Sequence, residues 1–132
     1  MPPKFKPHLD PRLRLRLRID VEPRWKGGVP VPMETIDLSA CGAACRSPIC
    51  LPLKTQVSVI LHLPPAPGRA AHELKCEAVV VNTEEIGHSR EEWRAGIYFL
   101  NLKESDREIL RRFIFTVMEE SSAPQETYAA QG

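Results

Sequence analysis

Four arginines at alternate positions, Arg12, Arg14, Arg16 and Arg18, are the first residues whose spacing suggests chemistry. In an extended strand their guanidiniums share one face, while Leu13, Leu15, Leu17 and Ile19 share the other. Like charges about 7 Å apart along a strand repel, so an anionic partner relieves them. The plainer reading is an edge strand that uses charge to block aggregation. Further along stands Asp37-Leu38-Ser39-Ala40-Cys41-Gly42. Its acid and hydroxyl can bond nearby backbone N–H groups, and its glycine permits a positive φ or a close approach, which is enough for an ordinary hairpin corner. The same groups can also meet a ligand. An arginine fork donates two bonds to phosphate or to guanine O6 and N7, a carboxylate accepts from N–H donors, and a hydroxyl does either.

Other reactive residue types are present without a pattern. Cys41, Cys45 and Cys50 lack the short paired spacing of a zinc site and no histidine follows in register, so small buried thiols are the expectation, and no metal is expected. His8, His62, His72 and His88 are scattered and form no Ser/His/Asp or Cys/His arrangement; no catalytic residue, and no enzyme, is expected. Trp25, between Arg24 and Lys26, is read as packing rather than base stacking. Glu84, Glu85, Glu91 and Glu92 read as a solvated acidic loop, with docking of a basic partner as the lesser alternative.

The elements that must position these groups are mostly strands. Thr55–Leu63 alternates, with Val57, Val59 and Leu61 on one side and Ser58 and His62 on the other. Glu73–Val81 groups Leu74, Cys76, Ala78 and Val80, and Glu92–Leu100 groups Trp93, Ala95, Ile97 and Phe99. Shorter strands are expected at Arg16–Glu22, Met33–Leu38 and Gly42–Arg46, separated by Gly- and Pro-rich loops. One helix follows: Ser105 and Glu108 have capping-box spacing, and Leu110, Phe113, Ile114 and Val117 form one apolar stripe. Five to seven strands and a terminal helix point to an all-β antiparallel barrel or sandwich that the helix packs against.

The 132-residue length fits one domain. Segments 1–11 and 121–132 are expected to be disordered around a domain at 12–120. Formal net charge is only +1 but unevenly placed: residues 1–28 carry eight Lys or Arg against three acids, and the rest carries ten against fourteen. A basic arm on a mildly acidic body suggests that the arm meets an anion. No apolar run is long enough to span a membrane. Lys4 and Lys6 are followed by charges rather than an apolar stretch, so a cytoplasmic protein with reduced thiols is expected.

Arg14-Leu-Arg-Leu-Arg18 at the start of a small β domain, followed by Asp37, Ser39 and Gly42, resembles the PilZ family. The likeness continues through the aliphatic strands Val57–Leu63 and Lys75–Val81, then Gly96-Ile97-Tyr98-Phe99, and into the helix Asp106–Glu119. The resemblance implies a six-stranded antiparallel barrel with one C-terminal helix that binds cyclic di-GMP on its outer surface, the arginine segment closing over it as a mobile arm. It implies Arg14, Arg18, Asp37, Ser39 and Gly42 as ligand-binding residues, no cofactor, and a signalling role through a protein partner, with motility or biofilm formation as output. Leu13 stands where the family often has another arginine, and Arg12 with Arg16 has the same spacing as Arg14 with Arg18. Ile19 as the first strand aliphatic favours the second pair. Two other functions use the same residues: a barrel that acts by protein contact alone, or a small nucleic-acid-binding barrel. The latter is disfavoured by an acidic body and by strands without an aromatic stacking platform.

Overall fold

Alternating apolar residues build seven strands in the computed structural model, which describes residues 11–27, 29–66, 68–88 and 91–120. Of the segments expected to be disordered, 1–11 and 121–132, all but Pro11 lie outside the described residues. In chain order the elements are β1 (Leu13–Arg14), β2 (Arg18–Pro23), a 3-10 turn at Arg24–Lys26, β3 (Val31–Leu38), β4 (Gly42–Ser47), β5 (Gln56–Leu63), β6 (His72–Glu85), β7 (Trp93–Phe99) and α1 (Glu104–Glu120). The pairing runs β2-β3-β4-β7-β6-β5 and returns to β2, which closes a six-stranded barrel; β1 is an extra strand on β3. All of these pairings are antiparallel. Closure removes the open sheet edges that six short strands would otherwise present.

One face of each strand fills the interior. Val57, Val59, Leu61 and Leu63 of β5 face Leu74, Ala78 and Val80 of β6, with Ile19, Val21 and Leu38 from the other side. Each fully buried Leu, Ile or Val contributes about 1.5–3 kcal/mol through lost apolar surface. The helix stripe closes one side of this core through Leu110, Phe113 and Ile114. Arg69, in the β5–β6 connection, lies over the Phe113 ring at 4.9 Å. His72, at the start of β6, reaches Asp106 at 3.4 Å.

The strands differ from the sequence expectation where long-range partners decide. The arginine ladder is not one strand: it pairs at Leu13–Arg14, leaves the sheet, and pairs again from Arg18. β6 runs on to Glu85 because β7 supplies partners as far as Trp93, with a register shift between Val80 and Asn82. Glu84 and Glu85 are therefore strand residues rather than loop. Trp25 is 53% exposed, so it is not part of the core. The helix begins at Glu104, and the Arg107 N–H bonds the carbonyl of Lys103 at 2.8 Å. Ser105 thus sits inside the first turn instead of capping it. Among the described residues, no helix is long and apolar enough to cross a membrane.

Candidate nucleotide site

Asp37 owes its position to an irregularity in β3. The register between β3 and β4 shifts between Thr35 and Asp37, so Ile36 is unopposed. Thr35 and Leu38 then both point inward, and Asp37 is on the outer face yet only 6% exposed. What covers it is charge. Its Oδ1 accepts from Arg12 Nη1. Its Oδ2 accepts from Arg94 Nη2 of β7 at 3.1 Å.

The ladder arginines approach the same place through the backbone. Arg14 stands directly opposite Asp37, and Leu13 opposite Leu38. Thr35 holds the interrupted stretch that follows. Its N–H bonds the Leu17 carbonyl at 2.8 Å, its Oγ1 accepts from the Leu17 N–H at 2.8 Å, and the same hydroxyl donates to the Leu15 carbonyl. Leu13 and Leu17 are buried beneath, which keeps Arg12, Arg14, Arg16 and Arg18 outward. Arg16 lies 3.7 Å from Glu34, and Arg18 lies 3.3 Å from Asp20. In the structure the arm is thus docked along β3, not detached from it.

Register extends this place across the barrel wall. One row reads Arg14, Asp37, Ala44, Gly96, Asn82. Ala44 and Gly96 give it a flat floor: a side chain at Gly96 would start 3.1 Å from the Asn82 Cβ. The adjacent row reads Arg18, Glu34, Arg46, Arg94, Glu84, and Arg46 also reaches Glu92 at 3.3 Å. Along it lies a groove of about 460 Å³ that includes Arg18, Met33, Glu34 and Arg46. A second groove of about 500 Å³ lies on the other side of Arg16 and Arg18, bounded by His62, His72 and Glu73.

Ser39 and Gly42 have structural tasks in the corner. Ser39 is 1% exposed; its Oγ accepts from the Cys41 N–H at 3.2 Å and shares a hydrogen with Cys41 Sγ at 3.0 Å. The Ser39 N–H bonds the Gly42 carbonyl at 2.9 Å, closing the turn. A side chain at Gly42 would run into the Ile97 carbonyl, so glycine is required there by β7 rather than by a positive φ. The structure therefore brings Arg12, Arg14 and Asp37 together with Ser39 and Gly42 behind them, while Arg18 heads the neighbouring row and Arg16 lies beside Glu34 of that row. Two residues of the site had no role in the sequence reading. Thr35 gives a faint signal as a hydroxyl at an inward strand position; Arg94 gives none, because its partner is 57 residues away.

Two of the four thiols are held in the protonated form. Burial, with Asp37 adding to it, pushes Cys45 up to about 12, and burial pushes Cys76 up to about 11. Cys41 is buried, whereas Cys50 is exposed and departs from the expectation of a buried thiol. His62 bridges Asp20 at 2.8 Å and Glu73 at 3.4 Å, tying three strands. Among the described residues no group of three or more His, Cys, Asp or Glu could hold a metal ion.

The comparisons agree with this architecture. The structure is similar to the Bacillus subtilis inhibitor of motility MotI/DgrA at 16% identity and a TM-score of 0.74, covering 91% of this chain and 57% of that one. It is similar to the PilZ domain of Escherichia coli YcgR with c-di-GMP at 13% identity and 0.64, covering 89% and 96%. It is also similar to the K. pneumonia MrkH–c-di-GMP complex at 19% identity and 0.67, covering 89% and 54%. At such identities the likeness shows the fold, and the chain spans just over half the length of MotI/DgrA and of MrkH. No curated protein matches the sequence significantly. The PilZ domain model matches residues 9–116, from before the arginine ladder to the helix; on that match and this barrel, the chain belongs to the PilZ domain family.

Proposed function

We propose that this chain is a receptor for cyclic di-GMP, binding the dinucleotide on the row that starts at Arg14 and Asp37. The observation that carries the reading is the β1–β3 register, which sets the arginine motif directly against the acid of the second motif. Two of the similar structures, the YcgR PilZ domain and MrkH, were solved with c-di-GMP, which supports the same ligand here. Arg14 and Arg18 take the phosphates and the guanine O6/N7 edges or stack on a base. Asp37 accepts from guanine N–H groups. Ser39 and Gly42 hold the corner that aims it and let the ligand come close. Ile19, which follows Arg18 in β2 as the first strand aliphatic, supports Arg14 with Arg18 over Arg12 with Arg16 as the nucleotide pair.

Binding makes and breaks no covalent bond, so the role is recognition without catalysis. The arm tightens on the nucleotide and alters the surface offered to a protein partner in the cytoplasm. The ligand achieves this to the extent that it binds one arm state better than another. The likeness to MotI/DgrA, an inhibitor of motility, supports motility or biofilm control as the output. A contact module that binds no nucleotide is the second reading, favoured by the double occupation of Asp37.

Thermal denaturation with added nucleotide tests the choice. Cyclic di-GMP at about a hundredfold over its Kd stabilises the fold by about 2.7 kcal/mol, a rise of several degrees in Tm for a domain of this size. GTP and cyclic di-AMP leave Tm where it was. No rise with any of the three selects the contact module.

A further inference from the structure

The two oxygens of Asp37 are held by guanidiniums on very different supports. Arg94 stands on β7, which is hydrogen-bonded along both edges, to β4 and to β6. It cannot leave Oδ2 by a backbone movement without opening the barrel. Arg12 stands one residue ahead of β1, a two-residue strand whose single neighbour is β3. Its side chain is 47% exposed while that of Asp37 is 9% exposed, so Arg12 lies over the acid like a lid over a nearly closed recess.

The group that Arg12 offers to Oδ1 has the same donor pattern as a guanine edge. Guanine carries N1–H and the exocyclic N2 amine on one carbon, an N–C–N fork like that of a guanidinium. Arg12 gives Oδ1 one N–H of its fork, and because a carboxylate has about four lone-pair sites, a guanine edge can take Oδ1 and share Oδ2 with Arg94. Adenine has no N–H at its N1 and cannot substitute.

We propose that Arg94 and Arg12 divide Asp37 between them: Arg94 is a positioning residue that fixes the carboxylate, and Arg12 occupies the place of a guanine edge as an internal competitor. The proposal rests on the cyclic di-GMP reading. An arriving guanine displaces Arg12 and not Arg94. The carboxylate therefore keeps one charged partner throughout, and its cost of burial stays covered when the lid lifts. The same exchange frees the start of β1, which couples occupation of Asp37 to the arm. Without Arg94 the carboxylate turns wholly to Arg12, and the competitor holds more tightly.

Calorimetric titration of the full chain with cyclic di-GMP and with cyclic di-IMP, which lacks the exocyclic amine, separates these roles. Hydrogen exchange at the Leu13 and Arg14 amides of the protein alone provides a second readout. Arg12→Ala is expected to tighten cyclic di-GMP binding about two- to fivefold, the effect of losing a half-exposed ion pair, and to speed exchange at both amides. Arg94→Gln is expected to weaken binding about tenfold or more and to reduce the preference for cyclic di-GMP over cyclic di-IMP, and Arg12→Ala added to it restores part of the loss. Weaker binding by Arg12→Ala, or an unchanged preference in Arg94→Gln, overturns the division of roles while leaving the receptor intact. If the natural chain binds no cyclic di-GMP, the receptor reading fails by itself. Exchange at Leu13 and Arg14 that ignores Arg12→Ala then overturns the lid as well, and binding gained by Arg12→Ala upholds it.

Discussion

Gly42 and Cys45 show how closely the site is built into the barrel wall. Gly42→Ala forces a methyl group against the Ile97 carbonyl and is expected to destabilise the fold by about 1–3 kcal/mol in urea unfolding. Cys45 faces the core beside the acid-bearing strand, and its thiol is raised from 9.0 to about 12. A raised thiol pKa means that the native state keeps its proton longer than the unfolded chain. This contribution is whole below pH 9 and is lost as pH rises from 9 toward 12, with a slope of up to about 1.4 kcal/mol per unit. Stability measured against pH is expected to fall less steeply over that window for Cys45→Ala than for the natural chain. Alkylation at neutral pH is expected to reach the exposed Cys50 well before Cys45.

At the scale of elements, the arm depends on one hydroxyl. Thr35 satisfies backbone groups of both Leu15 and Leu17 where the ladder leaves the sheet. Thr35→Val keeps the shape and removes the bonds, leaving a buried N–H unsatisfied at about 1–3 kcal/mol. Faster exchange at the Leu17 amide is expected for Thr35→Val and near-natural exchange for Thr35→Ser. Strands with clean alternation, such as β5 and β7, were readable from the sequence because one residue pattern decides which face is buried. The split of the ladder and the unopposed Ile36 were not, because each is set by a partner strand that a local pattern does not contain. The helix stripe was readable through Leu110, Phe113 and Ile114. Its start was not, since the chain begins turning at the Lys103 carbonyl, ahead of the capping signal.

For the whole molecule, closure of the barrel is what joins distant residues into one surface. Asp37 and the ladder were legible as a pair of motifs, but Arg94 enters only because β4 places β7 two strands from β3. The order of strands and helix, together with the two motifs, carried the family into view. The chemistry of the site needed the register, which turns a chain of spaced residues into the row Arg14, Asp37, Ala44, Gly96, Asn82. Isothermal titration of cyclic di-GMP into the natural chain and into Arg18→Ala tests the nucleotide site most directly. Saturable binding is predicted for the natural chain, falling by about tenfold to a hundredfold in Arg18→Ala, the range for losing charged hydrogen bonds, with Tm in the absence of nucleotide unchanged. Heat signals no larger than buffer dilution in the natural chain, or equal affinity in the variant, would contradict it.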